Sequence, residues 1–170
     1  VHSFGKFGRG LLAATQLSAL FGGVVFLAIV VMSIVSIVGR KLWAMPVPGD
    51  VEMLQMGAAF ASASFFAYCH LNGGDVKVDF FTAKARAATV HRLDALGSLL
   101  VGVFGSLITW RATVGALSIR EAGETSLILG WPVWIAQILM MPGFLLLALS
   151  GFYMVGVHLR LSTQPQQASA

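Results

Sequence analysis

From Gly10 to Gly39 the chain runs 30 residues without an Asp, Glu, Lys or Arg. A charge at the centre of a bilayer costs roughly 2.5 to 3.5 kcal/mol on insertion scales, so such a run is what a membrane tolerates. Its strongest part, Leu17 to Val38, has spanning length, because a hydrocarbon core of about 30 Å needs about 20 residues of helix. Two further charge-free runs follow the same logic. Met53 to Gly74 is bounded by Glu52 and Asp75 and closes on Asn72, Gly73 and Gly74, which favour chain exit over helix continuation. Thr125 to Leu159 has 35 residues, more than one crossing needs. Pro132 divides it, since proline suits the first turn of a helix and disfavours helix in the residue before it. A helix is therefore expected to begin near Pro132, with 125–131 as a surface connection and Trp131 and Trp134 at headgroup depth. Pro142 then falls within the span and predicts a kink. Between these runs, Leu93 to Trp110 spans if Asp94 sits at its boundary.

Composition supports a membrane class. Hydrophobic residues make up 57% of the 170 and charged residues only 11%, too little polar surface to cover a soluble globule. The expected fold is all-α integral membrane: one domain over 1–161, with spans at about 15–38, 53–72, 93–112 and 132–158. A cleaved signal peptide is the competing account of the first run. Its apolar core would be much shorter and end on a small-residue cleavage site, whereas here "GRKLWAMP" follows, so a retained anchor is expected.

Orientation follows from the basic residues. Seven lie on one side (Lys6, Arg9, Lys77, Lys84, Arg86, Arg92, Arg160) and three on the other (Arg40, Lys41, Arg120). The positive-inside bias puts both termini in the cytoplasm. These charges are spread over short loops, with no basic stripe beside stacking aromatics, so no nucleic-acid partner is expected.

The stretch "DFFTAKARAATVHRL" is too polar to span and too helix-prone for a plain loop. It predicts an interfacial cytoplasmic helix over about 80–91, between the second and third spans. Phe80 and Phe81 would dip into the acyl boundary, with Lys84 and Arg86 near anionic phospholipid headgroups. A solvated helical connection is the plainer alternative, because Lys84 and His91 project near the Phe80 direction. The last residues, 162–170, have a disordered-tail composition.

With Asp94 at a boundary, no span holds an Asp or Glu in its interior, so the chain lacks the intramembrane carboxylate that proton- or cation-driven carriers use. Arg111 reads as an interfacial residue snorkelling to headgroups, or else as a contact with a buried partner. His70, His91 and His158 all fall at cytoplasmic helix ends, where boundary histidines are ordinarily plain interfacial residues; bis-His haem ligation is the alternative. Cys69, the single cysteine, permits no intrachain disulfide and is expected as a small buried residue. With no phosphate loop, metal-ligand spacing or nucleophile elbow, neither an enzyme nor a cofactor is expected. Packing signals are plentiful: Gly57 and Ala61, Ala58 and Ser62, Ala59, Ala63 and Ala67, and Gly102 and Ser106 repeat small residues at four-residue spacing, which lets membrane helices approach closely.

Taken in order, "PGDVEML" (Pro48 to Leu54), the small-residue helix after it, "GGDVKVDFF" (Gly73 to Phe81), "GETSLILGWPVW" (Gly123 to Trp134) and "MPGFLLL" (Met141 to Leu147), with Arg40 ahead of them, form a pattern. It resembles the small membrane subunit, the Q type or DctQ-like component, of tripartite ATP-independent periplasmic (TRAP) transporters. Where many relatives carry His before the hydrophobic-x-Val-Asp element, this chain has Asp75, so no role of that imidazole carries over; Asp79 keeps the acidic end. The resemblance implies a subunit of a sodium-coupled carrier of organic anions, often carboxylates, in the bacterial inner membrane. It implies two protein partners, a large membrane transport subunit (M type) and a periplasmic substrate-binding protein (P type), with this chain as a static scaffold. Arg40, Lys41, Glu52, Arg120, Glu121 and Glu124 lie on the expected periplasmic side and are candidates for meeting the binding protein; solvated loop charges are the alternative. Two other functions stay open at this level: a haem-bearing anchor of an oxidoreductase, and an independent small transporter.

Overall fold

The computed structural model describes residues 5–75 and 87–163. Four helices account for most of them: α1 (Lys6–Trp43), α2 (Asp50–Leu71), α3 (Ala87–Ala122) and α4 (Val133–Thr163). Each overlaps one of the four expected spans, but α1 and α3 overshoot. At 38 and 36 residues they are about 57 and 54 Å long, well beyond a hydrocarbon core. The charged ends are helix-compatible, so the hydrogen-bonded ladder continues into the aqueous layers. Residues 87–91, expected to close an interfacial helix, are the first turns of α3. The rest of that expected helix, with Phe80, Phe81, Lys84 and Arg86, lies outside the described residues, as does Asp79. Ser162 and Thr163, expected in the tail, complete α4.

Local chemistry sets the helix ends. α1 stops at Ala44, whose left-handed φ of 54° lets Met45 N–H reach the Gly39 carbonyl at 3.2 Å. Pro46 and Pro48 then prevent resumption until Gly49, at φ 72°, turns the chain into α2. α3 ends on Gly123 in the left-handed region, with Glu124 N–H bonded to the Ile119 carbonyl at 3.3 Å. The connection to α4 closes on itself through an isolated bridge between Thr125 and Pro132, and α4 begins at Val133, next to the proline that was expected to start it. The helix continues through Pro142.

Packing is antiparallel between chain neighbours and parallel between α2 and α4. Gly22 of α1 meets Ala61 and Ser64 of α2, and Ile29 meets Gly57. Gly143 of α4 meets Ala63, while Leu71 and Met154 share a small buried cluster with Leu11. Gly102 and Gly105 of α3 meet Gly151, Phe152 and Ala148 of α4. The order across the structure is thus α1, α2, α4, α3, with α1 touching α4 only slightly and α3 packing on α4 alone among the described residues. This is an open row with two edge helices.

Three helices, α1, α3 and α4, are long and apolar enough to cross a membrane; α2 is not among them. The reason is positional. α2 sits between α1 and α4, with Ala61, Ala63, Ser64 and Ala67 buried, so it carries small residues that permit close approach where an edge helix carries large apolar ones. α1 is the converse: Leu20, Phe21, Leu27, Ile34 and Ile37 are all exposed, and little of its apolar stretch is buried within the chain. A contiguous apolar surface of this kind needs lipid or another protein to cover it.

Candidate partner-facing ends of the helix row

Because the helices alternate in direction, one end of the row collects the α1 and α3 C-termini with the α2 and α4 N-termini. Arg40, Lys41, Glu52, Arg120, Glu121 and Glu124 are all there. Asp50, missed in the sequence, organises this end. As the first residue of α2 it accepts from Ser36 Oγ at 2.5 Å and from Arg40 Nη2 at 3.0 Å, while its other oxygen takes Val51 N–H at 2.9 Å. Ser36 is fully buried and also accepts from Val47 N–H at 3.2 Å, so one hydroxyl ties α1, the connection and α2 together. The Ser36 hydrogen bond foremost, then Val51 N–H and the Arg40 charge, hold the Asp50 carboxyl below its ordinary value against some opposing desolvation. Serine followed 14 positions later by aspartate has no sequence signature, which is why the pair was not legible.

Glu52 does not project as a free loop charge. Its two oxygens accept the backbone N–H groups of Ile128 and Leu129 at 3.0 and 3.1 Å, pinning the 123–132 connection onto the start of α2. Those donors, with Ile128 N–H the largest cause, hold its carboxyl below the ordinary range. Leu129 then packs over Gly49, where a Cβ would fall 2.4 Å from its Cγ. Arg120 lies over the Trp134 ring at 5.4 Å from the centroid, a cation–π contact joining the end of α3 to the start of α4. Lys41, Glu121 and Glu124 are exposed, and of the six candidates they are the ones that make no side-chain contact among the described residues. Leu127 and Trp131, also exposed, add apolar area beside them.

At the opposite end stand Arg9, Arg92 and Arg160, with His70, Asp75, His91, Asp94 and His158. His70 is buried and shares a hydrogen bond with Asp75 at 2.5 Å. His91 and His158 come together as stacked rings with centroids 6.1 Å apart, whereas His70 pairs with Asp75. Cys69 is exposed, contrary to the expectation of a small buried residue.

The small-residue candidates separate in the same way. Gly57, Ala61 and Gly102 stand at helix contacts. Ser62 and Ser106 are exposed, and Ser106 returns its hydroxyl to the Gly102 carbonyl at 2.9 Å. The residues that make the closest approaches beside them are Ala63, opposite Gly143, and Gly105, opposite Ala148. Arg111 is exposed in the body of α3, which runs on past it. Between α1, α2 and the start of α4 lies an apolar groove of about 440 Å³, lined by Phe21, Ile29, Met53, Phe60, Trp131 and Leu139 among others.

Long helices with large apolar outer faces, and with acidic groups gathered toward the helix ends, define a multi-pass helical membrane protein. The family model described as "Tripartite ATP-independent periplasmic transporters, DctQ component" matches residues 29–161, and the chain belongs to that family. It is thus a component of a three-part transporter. No curated protein and no solved structure matches it significantly.

Proposed function

We propose that this chain is the small permease subunit of a sodium-coupled TRAP transporter for organic anions, carboxylates foremost, in the bacterial inner membrane. It crosses four times with both termini in the cytoplasm and acts as a static scaffold for the large transport subunit. The Arg40/Glu52/Arg120 end faces the periplasm and helps dock the substrate-binding protein, with Lys41, Glu121 and Glu124 as its outward charges.

The observation that carries this reading is where the acids fall. α1 and α4 contain none, the two of α2 are in its first turn, and those of α3 are Asp94 near one end and Glu121 in the last turn. A cation-coupled carrier needs an ionisable or ion-coordinating group at mid-depth; these helices supply packing. The unpartnered outer faces of α1 and α3 supply area for a large neighbour and for phospholipid. Reconstitution tests this directly. Liposomes holding this chain alone should accumulate no solute, whereas liposomes holding it with the large subunit, supplied with sodium and a loaded binding protein, should. Accumulation by the chain alone overturns the scaffold role.

A further inference from the structure

His91 and Asp94 are three residues apart on α3 and therefore share a helix face. His158 approaches the same face from α4, near the end of that helix. One ring nitrogen of each histidine and one Asp94 carboxylate oxygen all lie within 4.8 Å of one another, with His158 Nδ1 3.9 Å from Asp94 Oδ2. His158 is buried and Asp94 keeps 20% of its side chain exposed, which leaves a path from the aqueous layer. Nδ1 of His91 is buried and makes no hydrogen bond among the described residues, an arrangement that costs free energy unless something accepts its lone pair or proton.

From this placement we propose that His91, Asp94 and His158 form a binding site for a borderline transition-metal ion of the zinc class, clasping the start of α3 to the end of α4. Two imidazoles and one carboxylate are the donor set that Zn²⁺, Co²⁺ and Ni²⁺ take, in preference to the all-oxygen sets of Mg²⁺ and Ca²⁺. Bonds of about 2.0–2.1 Å require the three donors to close on the ion by roughly 1 Å, within the reach of side-chain rotation. Three protein ligands leave a fourth position for water on the aqueous side. Arg92 and Arg160 are nearby in sequence, but both are exposed and screened by salt. Metal binding at this site can be measured without transport.

The test uses the full chain without an affinity tag, purified in mild detergent and stripped with chelator. Titrated Co²⁺ should give visible ligand-field absorption saturating at one equivalent, displaced by Zn²⁺. His91→Ala, His158→Ala and the nearly isosteric Asp94→Asn should each weaken binding by roughly tenfold or more, with helix content unchanged by circular dichroism. His70→Gln and Cys69→Ser should bind as wild type. Absence of saturable Co²⁺ binding overturns the proposal. So does wild-type affinity in Asp94→Asn, or loss of binding in His70→Gln.

Discussion

Replacing Gly151 by Ala places one methyl group where α3 and α4 touch backbone to backbone. The new Cβ would lie 2.5 Å from Gly102 N, 2.7 Å from Gly102 Cα and 2.9 Å from the Ser98 carbonyl oxygen. Ordinary contact begins at 3.4 Å, so the shortest separation is deficient by about 0.9 Å. Every obstructing atom is main chain, and no rotamer change relieves it; the helices must part. Parting them also loosens the Gly105–Ala148 approach, the next contact along the same seam. Overpacking of this kind costs about 1–3 kcal/mol. Against it stands the gain of about 0.5–1 kcal/mol from removing a helical glycine. Gly156→Ala on the same helix isolates the two effects, because nothing lies within 4 Å of a Cβ there. The propensity gain is common to both variants and cancels, so their difference reads the overlap alone, about 1–3 kcal/mol in disfavour of Gly151→Ala. Reversible unfolding in mixed micelles, followed by far-ultraviolet circular dichroism, measures it. Equal stabilities within about 0.5 kcal/mol would refute the close α3–α4 approach.

Glu52→Gln should release the 123–132 connection, seen as faster amide exchange at Ile128 and Leu129 with the helices unaffected. Acid should do the same to the native chain. A carboxyl held below its ordinary 4.5 in the folded state contributes fully above that value and loses its contribution as pH falls through the lower folded value, so docking that persisted below that point would contradict the assignment. Gly49→Ala should destabilise the α1–α2 connection by about 1–2 kcal/mol, since φ is 72° and Leu129 occupies the methyl's place; a neutral result in the same unfolding assay would argue against that geometry. Cys69, single and exposed near the end of α2 proposed to be cytoplasmic, should react with an impermeant maleimide in inside-out vesicles and resist it in intact cells; the reverse pattern inverts the proposed orientation. Charge reversal at Glu121 and Glu124 together should slow binding-protein-dependent uptake, most at low ionic strength, and unchanged uptake would remove those residues from the docking surface.

Four helical segments, the stop after α2 and the start of α4 were legible in the sequence because they rest on local rules, whereas the full lengths of α1 and α3 were not. Charge-free length predicts a span, Asn72-Gly73-Gly74 a stop, and Pro132 a start, each within a few residues of what it governs. From alternation alone it also followed that Arg40, Glu52 and Arg120 share an end. The lateral order α1, α2, α4, α3 did not follow, since helices of similar hydropathy can pack in several orders and the choice is made by shape. Shape put Ala63 against Gly143 and Gly102 against Gly151 while leaving Ser62 and Ser106 outside, though Ala63, Gly102, Ser62 and Ser106 belong to the same small-residue pattern. It brought the Glu52 carboxylate to amides 76 and 77 residues away, left Cys69 uncovered, and stacked His91 on His158. Hydropathy is a property each residue carries by itself, so it can be read along the chain; a contact belongs to two residues and the distance between them, which exists only once the helices have packed.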